Sequence, residues 1–457
     1  MTVVAPRTRI DVALPSDVAV ADLLPMVLKM AGEATPDGGS RHGGWCLAKL
    51  GDTAIDPGRT LGWLGVVDGD LLQLRRRSEN PPPPLFDDVV EAIAAAAPDS
   101  YRPWTERSAR TLGMVAGGLA LLAGAIALLL AGPGLGTVLL ASIGAVAVLA
   151  AGAVIARVYG ETTTGVLVAA ASPPLGLVSG LYVVPSSVGD GNPLLALGAA
   201  NLLLGCTLAL VPAVASIMVV GSGITPFVAF ATAAALGTLA SLVATLMDDP
   251  PEAGIAAGTA AAALGAISVL PRLTIQLARL PLPQVPGSAE DLREDTSFPD
   301  YAAIERRAGL AHEFMTGMII GSGAVAAIGA VWAAATAENA FGPALGAAVA
   351  AVLLLRARSY ANGSQAIALL ISGMITAAGL LVTGMVAAEQ FAWLLLLVFC
   401  SLLVLAALAL VLGVVFPRRR FSPVMRRSVD VAEAILIAAV LPLALGVMDL
   451  YDKFRAL

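Results

Sequence analysis

The chain carries little with which to do chemistry. Its only histidines are His42 and His312, and its only cysteines are Cys46, Cys206 and Cys400, whose scatter suits neither a tetrahedral metal site nor a disulfide framework. There is no G-x-x-x-x-G-K-[ST] phosphate loop, no H-E-x-x-H zinc helix and no G-x-S-x-G nucleophile elbow in a soluble context. Catalytic, cofactor-binding and metal-binding residues are therefore read as none, and the chain is not expected to be an enzyme. Ionisable groups inside apolar runs would mark a transport or proton-relay site. From the first run to the tenth the apolar cores contain no Asp, Glu, Lys or Arg, and Asp430 and Glu433 stand at the start of the last. Asn201, Thr207, Ser216 and Thr225 are the polar exceptions, and each is read as a hydrogen bond between helices rather than as a substrate ligand.

The elements that would position these groups are transmembrane helices. A hydrocarbon core of ~30 Å takes ~20 helical residues to cross, and a helix satisfies its own backbone in lipid. Eleven spans are expected, near 112–132, 135–156, 163–184, 193–217, 223–247, 252–270, 314–336, 340–355, 364–387, 391–416 and 431–450. The gap at Gly221-Ser222-Gly223 is the weakest. Arginines occupy alternate gaps: Arg157, then Arg272, Arg279, Arg306 and Arg307, then Arg356 and Arg358, then Arg418, Arg419, Arg420, Arg426 and Arg427. The other gaps hold Asp190, Asp248, Asp249, Glu252, Glu338 and Glu389. Because Lys and Arg stay on the cytoplasmic side of short loops, the N-terminus is expected in the cytoplasm and, after an odd number of spans, the C-terminus in the periplasm.

Composition agrees, with 58% hydrophobic and 13% charged residues. Lysine occurs only at Lys29, Lys49 and Lys453, so 24 of the 27 basic residues are arginine, a bias that points to a GC-rich genome such as an actinobacterium's. Nothing suggests nucleic acid as a partner.

The first 78 residues read as a soluble α+β domain. Thr8–Pro15 alternates apolar Ile10, Val12 and Leu14 with polar residues, as a half-buried strand does, and Val18–Val20 is expected to be its returning strand. A helical stripe of Leu23, Leu24, Val27, Leu28 and Met30 stops at Gly32, and strands follow at 45–50 and 68–77. Hairpin, helix and return strands make a β-grasp, with Trp45, Leu50, Leu61, Leu64 and Leu72 as its core.

The succession ADLLPMVLKMAG (21–32), GGWCLAKLG (43–51), TLGWLGVVDGDLLQLR (60–75), a proline run and FDDVVEAIA (86–94) resembles the ubiquitin-like domain and linker of EccD, a membrane component of type VII (ESX) secretion systems. The resemblance extends through the eleven spans and through PRLTIQLARLPLPQVPG (271–287). It implies a structural, non-catalytic inner-membrane subunit that supports export of WXG100, PE or PPE type proteins. It also implies assembly with EccB, the ATPase EccC, EccE and a second copy of the chain, the spans of paired copies enclosing a lipid-facing vestibule. Ubiquitin-like means fold only, because the last strand runs into Ser78-Glu79-Asn80 and prolines and not into a free diglycine. Since no ATPase motif is present, the energy for export must come from another subunit.

The remaining organisation follows. Residues 79–111 are a linker whose Pro81–Pro84 favours polyproline II, followed by a short helix at Asp87–Ala97. Residues 112–457 are the membrane domain, with a cytoplasmic loop at 271–312. Trp104, Arg107 and Arg110 are placed to anchor at the lipid headgroups, and Arg272 and Arg279 belong to the surface on which partners would dock. Small residues spaced four apart, Gly113/Gly117, Gly176/Gly180, Gly254/Gly258, Gly317/Gly321 and Gly342/Gly346, allow close helix packing. Ser172-Pro173-Pro174, Pro212 and Thr225-Pro226 are expected as accommodated kinks. The alternative functional reading is a secondary transporter of small solutes, with a receptor sensing a cytoplasmic ligand as a third.

Overall fold

A computed structural model describes residues 1–6, 8–32, 44–49, 54–67, 69–76, 104–185, 197–247, 251–280, 301–388, 393, 395–397, 399–403 and 423–451. They fall into two units, Met1–Trp104 and Thr105–Leu457.

In the first unit, Thr2–Val4 (β1) pairs antiparallel with Arg9–Asp11 (β2), and Trp45–Lys49 (β3) pairs antiparallel with Leu71–Arg76 (β4). Strand β1 runs parallel to β4, with Val3 opposite Leu72, which gives the order β2-β1-β4-β3. A tight turn cannot join parallel neighbours, and the connection includes helix Val20–Ala31 (α1). This is the β-grasp. Alternation along β3 and β4 sends Trp45, Leu47, Leu72 and Leu74 inward against Val3, Val27 and Leu61, while Leu64 is partly buried at the margin. Leu50 lies outside the described residues. Helix α1 carries Asp22 in its first turn and Lys29 in its last, which suits the helix dipole, and ends at Gly32 in the left-handed region (φ 71°).

The hairpin expected from Thr8–Pro15 and Val18–Val20 is not formed. The partner of β2 is instead the β-branched Thr2–Val4, whose central Val3 is fully buried. Residues 19–21 are taken up elsewhere: Ala19 bridges to Thr60, and the N–H groups of Val20 and Ala21 bond the carbonyls of Arg59 and Pro57. Those bonds fix the start of α1.

The second unit is a bundle of α2 (Glu106–Ala131), α3 (Leu135–Arg157), α4 (Thr162–Ala169), α5 (Ser172–Val183), α6 (Ala199–Val220), α7 (Thr225–Leu246), α8 (Glu252–Leu277), α9 (Tyr301–Thr336), α10 (Phe341–Arg356), α11 (Gly363–Ala388) and α12 (Pro423–Val447). Among the described residues, ten segments are long and apolar enough to cross a membrane, with α4 and α5 together making one. The span expected near 391–416 lies mostly outside the described residues; those described, 393, 395–397 and 399–403, are helical. The helix expected at Asp87–Ala97 is also outside them. Helix α9 is central. Its Ile319, Ala326, Ala330 and Ala333 are fully buried against Ala257, Ala260, Ala263 and Ile267 of α8 and Leu345, Val349 and Val352 of α10.

Prolines lie within these spans without ending them. The turn between α4 and α5 falls just before Pro173, which lacks the N–H that would bond the Ala169 carbonyl, and the Ser172 hydroxyl donates to that oxygen instead, at 2.7 Å. Pro271 lies inside α8, so the stretch expected as a loop from Pro271 to His312 is helical at both ends. With 26 and 36 residues, α8 and α9 are longer than a hydrocarbon core of ~30 Å requires at ~1.5 Å per residue, so they project past it.

Candidate functional site

The glycines singled out in the sequence fall into three groups. Those on α5 and α9 sit at helix crossings too close for any larger residue. A Cβ on Gly176 would strike the Leu208 carbonyl oxygen of α6, and one on Gly180 the carbonyl of Leu204. The Leu208 carbonyl is the one that Pro212 leaves without its intrahelical donor, so the proline and Gly176 face each other across one interface. A Cβ on Gly317 would lie 2.6 Å from the Thr225 carbonyl oxygen of α7, and one on Gly321 would strike that of Ala229. Gly342 is pressed against the end of α9, where an added Cβ would be 2.7 Å from the Ala333 carbonyl oxygen, and Gly346 against the Leu380 side chain of α11. Gly254 and Gly258 face the side chain of Met448; the added Cβ atoms would lie 3.2 Å from its Cγ and 2.8 Å from its Cε. Gly113 and Gly117 meet nothing within 4 Å, and α2 buries only Ala125.

A further crossing was not singled out from the sequence. Gly152 of α3 and Gly165 of α4 confront each other, each added Cβ lying 2.6 Å from the other's carbonyl oxygen. Its signal was there as Gly152/Ala156 and Gly165/Ala169, small residues four apart in which alanine takes one place.

The described arginines of alternate gaps lie at one end of the bundle, and Arg418, Arg419 and Arg420 lie outside the described residues. Arg110 pairs with Glu161. Arg157 Nη2 donates to the Met218 carbonyl at 2.8 Å, at the C-terminus of α6. Glu313 Oε2 accepts the Ile224 N–H at 2.8 Å, at the N-terminus of α7. Between these two bonds the chain reverses through Gly221 (φ 73°) and Gly223 (φ 57°), the gap that looked weakest in the sequence. A cation at a helix C-terminus and a carboxylate at an N-terminus both oppose the dipole's partial charges. Arg356 Nη2 donates to Ser268 Oγ at 2.8 Å, and Arg358 Nη2 reaches Asp430 Oδ1 at 2.6 Å and Glu433 Oε2 at 2.9 Å. Arg307 Nη1 bonds the carbonyl of Arg279 at 3.1 Å, and Arg279 itself has φ 48°. Trp104, Arg107 and Arg272 are exposed.

The opposite end holds Glu252, Glu338 and Asp449, with no Lys or Arg among its described residues. There Asn339 Nδ2 bonds the Gly446 carbonyl at 3.3 Å and Asp449 Oδ1 at 3.1 Å. Within the spans, Asn201 Nδ2 crosses to the carbonyls of Leu181 and Val184 at 2.8 and 2.9 Å. Thr207 bonds its own helix, at the Leu203 carbonyl, and Ser216 does so at Pro212 while lying 3.5 Å from Ser172. Among the described residues, no three His, Cys, Asp or Glu side chains gather as metal ligands.

These features define a multi-pass membrane protein, joined to a ubiquitin-like unit, in which several described Arg, Asp and Glu side chains tie helices to one another. Residues 109–457 match the family model of the EccD-like transmembrane domain, and residues 1–74 match that of the WXG100 protein secretion system (Wss) protein YukD. The chain belongs to the EccD family, structural inner-membrane components of ESX core complexes. It is 30% identical to the ESX-4 secretion system protein eccD4 of Mycobacterium tuberculosis (strain H37Rv), over 100% of this chain and 97% of that one. It is 27% identical to the ESX-3 secretion system protein EccD3 of the same strain, over 96% and 94%. The fold is similar to protomer 1 of the ESX-3 core complex, with a TM-score of 0.63 and 22% identity over 99% of both chains. A chain of the MycP5-free ESX-5 inner membrane complex gives a TM-score of 0.55 and 20% identity over 90% of this chain and 98% of that one.

Proposed function

We propose that this chain is a non-catalytic scaffold of a type VII secretion machine, with its arginine-bearing end and its ubiquitin-like domain in the cytoplasm and its C-terminus in the periplasm. One observation carries the non-catalytic reading: the Arg, Asp and Glu contacts described in the membrane unit join one helix or interhelical turn to another, as structural ties do. The bias of Lys and Arg to one end supports the orientation. Its partners are EccB, the FtsK-like ATPase EccC, EccE and a second copy of itself, and its cargo, handled by the assembled machine, is proteins of the WXG100, PE and PPE types. The ubiquitin-like domain and the projecting ends of α8 and α9, with Arg272 and Arg279, are the docking surfaces for cytoplasmic partners. Trp104, Arg107 and Arg110 hold the first span at the headgroups.

Affinity purification of the tagged chain in mild detergent, followed by mass spectrometry, tests this. Recovery of an FtsK-like ATPase together with EccB and EccE type chains is the expected result. A chain recovered alone, and stabilised by a small solute, would instead support a transporter.

A further inference from the structure

We propose that Arg272 and Arg356 form a headgroup site for an anionic phospholipid between α8 and α10. Arg356, the last residue of α10, is half-buried and bonds Ser268 Oγ of α8 at 2.8 Å. Arg272 lies one turn further along the same face of α8, with ~5–6 Å between Cβ positions four residues apart. Long helical side chains lean toward the helix N-terminus, which is the direction from Arg272 to Ser268 and the Arg356 bound to it. Two guanidinium groups so placed repel each other unless an anion lies between them.

Among the described residues, no carboxylate forms an ion pair with Arg272 or Arg356. The carboxylates of the adjoining helix α12, Asp430 and Glu433, are both engaged by Arg358. Glu313 is spent on the Ile224 N–H and Glu161 on Arg110. A phosphodiester complements the two cations, since its two free oxygens accept from guanidinium donors in a fork geometry, with the Ser268 hydroxyl beside them.

Depth and surroundings select a lipid as the source of that phosphate. Arg272 stands 20 residues after Glu252, the first residue of α8, so the two are ~30 Å apart along the axis, the thickness of a hydrocarbon core. Val269 and Leu273 flank the site and are exposed, offering an apolar surface to acyl chains. Basic sites between transmembrane helices are a recurrent way of holding anionic headgroups.

The test uses the full chain in detergent, with native mass spectrometry and thermal unfolding in the presence of cardiolipin, phosphatidylglycerol, phosphatidylcholine or inorganic phosphate. Retained anionic lipid and a rise in Tm with cardiolipin or phosphatidylglycerol, but not with phosphatidylcholine, are expected. In R272Q/R356Q the affinity should fall about thirtyfold, while R306Q/R426Q, which removes the same charge elsewhere at that end, should keep it. Should the glutamine pair misfold, R272K/R356K retains the charge and loses the fork, so several-fold weaker binding is expected. Unchanged lipid binding in both 272/356 variants, or an equal loss in R306Q/R426Q, would overturn the site. A Tm rise with inorganic phosphate equal to that with lipid would overturn the lipid assignment.

Discussion

Glu313 Oε2 accepts the backbone N–H of Ile224 across 2.8 Å and 89 positions of sequence, and so holds the first turn of α7 to the middle of α9. Opposite it, Arg157 holds the last turn of α6. Glu313→Ala should therefore destabilise the membrane unit by about 1–2 kcal/mol, the usual worth of a helix cap in a favourable dipole position. Thermal unfolding in detergent would give the loss, and hydrogen exchange at the Ile224 amide should quicken in the variant. An unchanged Tm together with unchanged exchange would mean that the bond contributes nothing.

Glycines at crossings and open glycines should behave differently. Gly176→Leu or Gly321→Leu places a side chain where a carbonyl oxygen already sits, and lipid offers no apolar drive to hold the separated helices together. These variants should insert into the membrane but yield a protein of low Tm that does not enter a high-mass complex on blue-native gels. Gly113→Leu/Gly117→Leu meets nothing within 4 Å and should leave the stability of the isolated chain within about 0.5 kcal/mol of the parent's. If it also abolishes the high-mass band, that face of α2 is a contact with another subunit.

Arg358 neutralises two carboxylates on α12. Arg358→Ala leaves Asp430 and Glu433 facing each other without a cation, one helical turn apart, and Glu433 is only 12% exposed. A loss of about 1–2 kcal/mol is expected, below the cost of a fully buried pair because Asp430 is 57% exposed. Adding Glu433→Gln should restore part of it, since the like-charge pair disappears. Failure of that rescue would assign the effect to lost packing by the arginine stem.

The orientation is checked by thiol labelling in a variant with Cys46, Cys206 and Cys400 replaced. An impermeant maleimide added to intact cells should label Glu338→Cys and leave Ser359→Cys unlabelled until the membrane is opened. The reverse pattern would invert the proposed topology.

The ubiquitin-like unit has its own buried core and its own four-stranded sheet. Residues 1–76 expressed alone should be soluble, with a cooperative thermal transition by circular dichroism. Deleting them should spare insertion of the spans and abolish export. Full export by the truncated chain would remove the docking role.

The sequence by itself determined what depends on composition and period. Apolar runs of span length announced the bundle, because lipid admits little else. Strands were expected at 45–50 and 68–77, where Trp45–Lys49 and Leu71–Arg76 form them, and Gly32 marked the end of α1. The arginines of alternate gaps were visible one by one, and so were the glycine pairs. Only the tertiary structure decided which partner each one meets. Thr2–Val4 became the partner of β2 because residues 19–21 bond to 57–60, a choice made far along the chain. Gly176 matters through Leu208 and Pro212, whereas Gly113, with the same local pattern, meets nothing in its own chain. Glu313 stood next to an expected span with no hint that it caps α7. A residue's period along a helix says which face it is on, but hydrogen bonds and close backbone contacts are made between faces, and their pairing is set by how the helices pack.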